Sequence, residues 1–196
     1  PPNAKPEALL ALASAMRVLV KVDISKNNLK PQGGRILAEF LVGAPCTLQE
    51  LNVASNNLSK SPNCYYNAHD MSGISAIAES ILTNGTLRQL DISDNGINEE
   101  CARQLITSAE NSSSLALLKL GSNDIFECSS AGFVRSSTSL LELMLRCEHI
   151  VIDVAQVTHT LEMAQLVAES PTQHILNLSP DNALKASKVD LPDVDF

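Results

Sequence analysis

Leu87-Arg88-Gln89-Leu90-Asp91-Ile92-Ser93-Asp94-Asn95-Gly96-Ile97 is the stretch whose reading decides the fold. Its apolar residues and its asparagine follow the pattern L-x-x-L-x-L-x-x-N-x-L. Three other segments repeat it: Leu19 to Leu29 with Val22, Ile24 and Asn27; Leu48 to Leu58 with Leu51, Val53 and Asn56; Leu115 to Ile125 with Leu118, Leu120 and Asn123. Leu140 to Ile150 keeps the apolar positions through Leu143 and Leu145 but puts Glu148 in the asparagine place. A sixth trace, Leu176, Leu178 and Asp181, is weak. Asn27 to Asn56 is 29 residues and Asn95 to Asn123 is 28, whereas Asn56 to Asn95 is 39. The long interval is one repeat plus an insertion of about ten residues, and the set marks a periodic architecture.

Each template position has a physical reason. Alternating apolar residues make a short strand with one buried face. The asparagine turns inward at the bend that follows, where its amide satisfies backbone groups of that bend and of the next repeat. Asn27, Asn56, Asn95 and Asn123 are thus expected to form a ladder that ends at Glu148. Helical spacing comes next. Ile36, Leu37, Phe40 and Leu41 follow Gly33; Ile77, Ala78, Ile81 and Leu82 follow Gly73; Leu105, Ile106 and Ala109 follow Cys101. The unit is strand, turn, helix, turn, in about 28 residues.

This unit, carried by LVKVDISKNNL, LQELNVASNNL, LRQLDISDNGI and LALLKLGSNDI, resembles the ribonuclease-inhibitor-like class of leucine-rich repeats over roughly residues 8–150. The resemblance implies an α/β solenoid of about five repeats plus caps. Parallel strands line its concave face and helices its convex back. It also implies protein–protein recognition as the usual role, without naming the partner.

The domain layout follows. Residues 1–184 read as the solenoid. Pro6 to Met16 reads as an N-terminal helical cap, or as the helix of a further repeat whose strand lies upstream. Residues 151–184 read as an irregular C-terminal cap with a helix on Val154, Val157, Leu161, Ala164 and Ala168, then a degenerate strand at Leu176–Leu178. Residues 185–196 read as an acidic tail anchored by Leu191, Val194 and Phe196. The insertion between Ser59 and Asp70 holds both tyrosines, Tyr65 and Tyr66, as interface candidates or as side chains folded back on the convex surface.

Composition narrows the function. Aromatics are 3% with no Trp, so the core must be built from Leu, Ile, Val and Ala in thin layers. The net charge is −8 and no Lys/Arg cluster occurs, which argues against nucleic acid. No apolar run has the length of a membrane span, so no membrane insertion is expected. Five cysteines without a C-x-x-C motif argue against a disulfide framework or a zinc site and point to a reducing compartment, cytosol or organelle matrix. Cys101 and Cys128 fall at similar places in neighbouring repeats, which leaves their pairing open. The four histidines are scattered, and no phosphate loop, dinucleotide motif or nucleophile elbow occurs. No enzyme, cofactor or metal is expected. Asn57, Asn84, Asn111 and Asn177 stand in N-x-[S/T] sequons, too small an excess to argue for secretion.

Side chains between the buried strand positions point outward. On this reading the concave face presents Asp23, Asn52, Asp91, Leu117, Lys119, Met144 and Arg146 to a protein partner, polar and acidic over the first three strands and mixed over the last two. The face spans about 20–25 Å. The expected function is a non-catalytic interaction module, a scaffold or accessory subunit of a larger assembly. The alternatives are an enzyme regulator such as a GTPase activator, for which Arg88, Arg103 and Arg135 are the available arginines, and a ligand-sensing part of a larger receptor.

Overall fold

A computed structural model describes residues 18–43, 47–60, 69–125 and 150–153, residues 140, 143, 144 and 147, and the backbone of short strands at 127–128, 134–135, 174–177 and 185–188. In chain order its elements are β1 (Lys21–Asp23), α1 (Lys30–Val42), β2 (Glu50–Asn52), α2 (Ser72–Thr83), β3 (Gln89–Asp91), α3 (Glu99–Glu110), β4 (Leu117–Lys119), β5 (Glu127–Cys128), β6 (Val134–Arg135), β7 (Val151–Asp153), β8 (His174–Asn177) and β9 (Lys185–Lys188). The order β1-β2-β3-β4-β7 makes one parallel sheet, β5 pairs antiparallel with β6, and β8 pairs antiparallel with β9. The molecule is an α/β leucine-rich-repeat solenoid.

The template becomes layers. Val22, Leu51, Leu90, Leu118 and Ile152 stand in register across the five strands, all buried. Leu48, Leu87 and Leu115 form a second buried row, Leu58, Ile97 and Ile125 a third, and Leu37, Ile77 and Leu105 close the core from the helices. Each strand is three residues long, so no single unit buries a self-sufficient core, and stability comes from stacking neighbours. α1 and α2 approach backbone to backbone. A Cβ on Gly73 would lie 2.5 Å from the Pro31 carbonyl oxygen, and one on Gly34 2.9 Å from the Gly73 Cα.

The asparagine ladder is present. Asn56 Oδ1 accepts from Asn27 N at 2.9 Å, Asn95 Oδ1 from Asn56 N at 3.0 Å and Asn123 Oδ1 from Asn95 N at 2.8 Å. Asn95 Nδ2 donates to the carbonyls of Ile92 and Ser93 in its own bend and of Val53 in the unit before. The amides of Asn56, Asn95 and Asn123 therefore serve their own bend and the preceding repeat, not the next one as the sequence reading expects. The residue before each ladder asparagine is left-handed: Lys26, Ser55, Asp94 and Ser122 have φ between 52° and 62°. That kink aims the asparagine inward. The residue after it is left-handed at Asn28, Asn57 and Gly96. At Gly96 a Cβ would also meet Ser59 Oγ at 2.6 Å, the hydroxyl that donates to the Asn95 carbonyl.

The insertion closes at its base. Lys60 and His69 form an antiparallel bridge and Asp70 N donates to Ser59 O at 2.8 Å. The extra residues thus leave and rejoin at one point, and the β2–β3 register is undisturbed.

The fifth repeat differs from expectation. Leu140, Leu143 and Met144 are helical and buried, and the fifth parallel strand is Val151–Asp153. Leu140, Leu143, Met144 and Cys147 follow i, i+3, i+4, i+7, the stripe of a buried helix face. Two spacings compete in this segment, and the helical one prevails because the strand falls after it. Glu148, expected to end the ladder, lies outside the described residues. Val151–Asp153, expected within the irregular C-terminal cap, is a strand of the parallel sheet; the helix expected on Val154 to Ala168 lies outside the described residues, as does Pro6–Met16. The expected last strand exists at His174–Asn177, but it pairs with β9, at the start of the segment read as a tail, instead of extending the parallel sheet.

Replacing Asn95 by Ala strands buried backbone donors and acceptors, each worth about 1–3 kcal/mol. Urea unfolding should show Asn95→Ala destabilised by about 3 kcal/mol or more. Asn27→Ala, at the exposed end of the ladder, should lose about 1 kcal/mol or less, and equal losses would refute the ladder's role. Gly73→Ala should lower the melting temperature through helix–helix overpacking costing about 1–3 kcal/mol, whereas Gly85→Ala, with nothing near its Cβ, should not.

Candidate partner-binding face

The open, concave side of the sheet carries two rows of side chains fixed by strand register. Lys21, Glu50, Gln89, Leu117 and Val151 are neighbours across the strands in one row. Asp23, Asn52, Asp91 and Lys119 form the other, with Asp153 next in backbone register. Lys21, Asp23, Glu50, Asn52, Gln89, Asp91, Leu117 and Lys119 surround one shallow concavity.

Local chemistry holds the second row. Asp23 Oδ1 accepts from Ser25 N at 2.9 Å, Asn52 Oδ1 from Ala54 N at 3.0 Å and Asp91 Oδ1 from Ser93 N at 3.1 Å. Each is a short turn closed by a side-chain oxygen two residues back, the habit of Asp and Asn. Asn52 Nδ2 then donates to Asp23 Oδ2 at 3.0 Å, tying two strands together. Lys119 cannot accept a hydrogen bond, so it breaks the series and leans to Asp91 at 3.7 Å. In the first row Lys21 meets Glu50 at 2.6 Å. These ion pairs are solvent-exposed and add little stability; their effect is to fix a charge pattern.

The carboxyl of Asp23 is held below the usual range, chiefly by the Ser25 N–H and next by hydrogen bonds to Ser25 and Asn52. Asp70 is lowered in the same way by Ser72 at the start of α2. Glu50 raises the Lys21 ammonium, first by hydrogen bonding and then by charge. Burial raises the Cys101 thiol, which keeps it protonated and inert.

Of the sequence-predicted residues, Asp23, Asn52, Asp91 and Lys119 come together in one row and Leu117 stands beside them. Met144 does not join them: it is 1% exposed on a helix, because its segment is not the fifth strand. Arg146, Tyr65, Tyr66, Leu191, Val194 and Phe196 lie outside the described residues. Val151 belongs to the face and escaped the sequence reading. The signal was there, since Val151-Ile152-Asp153 repeats the apolar-then-Asp ending of Lys21-Val22-Asp23 and Gln89-Leu90-Asp91. Lys21, Glu50 and Gln89 share the face by the same strand alternation that places Asp23, Asn52 and Asp91 there.

Cys101 is a free, buried thiol, so it does not pair with Cys128. Among the described residues no group of three or more His, Cys, Asp or Glu could hold a metal, and no helix is long and apolar enough to cross a membrane. Asn84, the asparagine of one sequon, is 6% exposed and has its amide committed to the Leu41 carbonyl and the Thr86 and Leu87 N–H groups, so it is structural.

The comparisons agree with this architecture. A leucine-rich-repeat family model matches residues 44–61 and 83–100, the segments that carry Asn56 and Asn95. No curated protein sequence matches the chain. Among solved structures, leiomodin-1 actin-binding site 2 superposes with a TM-score of 0.59 at 13% identity, covering 86% of this chain and 87% of that one. The tropomodulin C-terminal domain of Caenorhabditis elegans gives 0.58 at 16% identity, covering 85% and 91%. At such identity the likeness is one of fold. The matched repeats and the fold are those of leucine-rich-repeat solenoids.

Because Asp23 and Asp70 have folded-state pKa values below the usual carboxylate value of about 4, their stabilising effect is present above that value and is lost as pH falls through the depressed folded pKa. NMR titration should find both carboxyls titrating below pH 4 or so. Asp23→Asn should make the stability curve shallower in that acid window while leaving it unchanged in shape near neutral pH.

Proposed function

We propose that this protein is a non-catalytic interaction module, a scaffold or accessory subunit, that grips a protein partner on the concave face with Asp23, Asn52, Asp91, Leu117 and Lys119. The observation that carries the proposal is the row Asp23-Asn52-Asp91. Each of its side chains is anchored by a backbone N–H on a rigid parallel sheet and steadied by a neighbour across the strands, yet stays at least partly exposed to solvent. Polar groups held in place before contact cost little entropy to engage. Leu117, half-buried beside Lys119, supplies an apolar foothold. The buried free thiol of Cys101 supports a reducing compartment as its setting. Tyr65, Tyr66, Leu191, Val194 and Phe196 are proposed as secondary partner contacts on the insertion and the 185–196 segment, outside the solenoid proper.

One of the two similar structures is an actin-binding site by its description, which makes actin the first partner to assay. Cosedimentation with actin filaments and binding to monomeric actin test that identity. Crosslinking mass spectrometry on native material tests the face itself: crosslinks should concentrate at Lys21 and Lys119. The double exchange Asp91→Lys with Lys119→Glu keeps the internal ion pair but inverts the pattern offered to a partner. It should weaken binding by at least about tenfold, or 1.4 kcal/mol, while far-UV circular dichroism reports an intact solenoid. Undiminished binding after the exchange would remove the concave face from the interface.

A further inference from the structure

The parallel sheet ends at β1, whose outer edge faces no other strand of the sheet. Alternation decides which of its groups are open. Val20 O accepts from Gln49 N and Glu50 N at 2.7 and 3.0 Å, and Ile24 N donates to Asn52 O at 2.9 Å. Residues 20, 22 and 24 therefore aim their peptide groups at β2, and Lys21 and Asp23 aim their N–H and C=O groups at the open edge. The apolar side chains leading into this strand are exposed: Val18 79% and Val20 52%. Among the described residues no strand pairs with this edge, and an open edge strand is a template for pairing.

We propose that this edge is an interface between two copies of this chain, joined β1 to β1 in antiparallel fashion about a two-fold axis. The sequence Lys21-Val22-Asp23 is complementary to its own reverse. Lys21 of each copy comes opposite Asp23 of the other, and Val22 comes opposite Val22. The backbone agrees with the charges. The two Lys21–Asp23 positions are the ones with open peptide groups, so they form the hydrogen-bonded pairs, and Val22 forms the close non-bonded pair. Both charged pairs fall on the concave side, where Lys21 already meets Glu50, so each ammonium sits between two carboxylates. On the core side Val20 comes opposite Ile24 of the other copy, covering an exposed valine with a partly buried isoleucine. Such an interface is isologous and closes on itself. It merges two five-stranded faces into one of ten strands, about 43 Å across. Three-residue strands make a small contact, so the dimer is weak and sensitive to concentration and salt.

Sedimentation velocity of this chain over a concentration series tests the proposal without any partner present. A monomer–dimer equilibrium is expected, with Kd rising several-fold in about 1 M salt. Asp23→Lys sets lysine against lysine twice and should raise Kd at least about tenfold. Adding Lys21→Asp to it re-creates opposite pairs in reverse and should bring Kd back to within about threefold of the starting value. Far-UV circular dichroism of each variant reports that the solenoid is intact. Slowed amide exchange at Lys21 and Asp23 should accompany dimerisation. A monomer at every soluble concentration, as when a further repeat or another protein covers the edge, overturns the proposal. So does a dimer that Asp23→Lys leaves intact. Loss of partner binding by the Asp91 and Lys119 exchange is a separate readout, so the two proposals can fail independently.

Discussion

The structure depends on one interaction, the inward-turned asparagine amide that closes its own bend and the bend before it. Asn56, Asn95 and Asn123 each join two repeats with a single side chain. A three-residue strand cannot hold a parallel sheet by itself, and a bend with left-handed residues costs free energy. The amide offsets both costs together, because it supplies acceptor and donor groups to a turn that water cannot reach. Repeat length is tied to this geometry only at the bend, so the stretch between bends is free to vary. The 39-residue interval between Asn56 and Asn95 is accommodated because Ser59 and Asp70 pinch the insertion shut beside the ladder.

The concave face repeats that logic one step outward. Asp23, Asn52 and Asp91 each accept a backbone N–H two residues on, so a row of acceptors is fixed by the same strands that fix the ladder. The inner row is asparagine throughout and is sealed at Asn56 and Asn95. The outer row alternates Asp and Asn, then changes to Lys119, and is open. A uniform inner row suits a structural role, whereas a varied outer row on a rigid support suits recognition. The helices contribute to this rigidity from behind: Gly34 and Gly73 let α1 and α2 meet closely, which fixes the distance between the first two units.

Most of the fold was legible in the sequence, because the pattern L-x-x-L-x-L-x-x-N-x-L encodes a strand, a bend and the amide that closes it in eleven residues. Asp23, Asn52, Asp91 and Lys119 were legible as one row because strand alternation is a local rule and equal repeats keep register. The fifth unit was not. Leu140, Leu143 and Leu145 satisfy the strand template, and Leu140, Leu143, Met144 and Cys147 satisfy a helical stripe. Nothing local separates the two, and Met144 was placed on the face on the strength of the first.

The sequence by itself determined the repeat, the four asparagines and the residues flanking each of the first four buried strand positions, since these follow from periods of two and 3.6 along a covalent chain. Tertiary structure alone decided the rest. Packing against β4 selected Val151–Asp153 as the fifth strand. Stacking set the direction in which each amide reaches, to the repeat before it. The pairing of Lys21 with Glu50 and Lys119 with Asp91 arises from side chains brought side by side from units 28 or 29 residues apart. Such contacts depend on how far each repeat is translated and twisted against the next, a quantity that no single repeat contains.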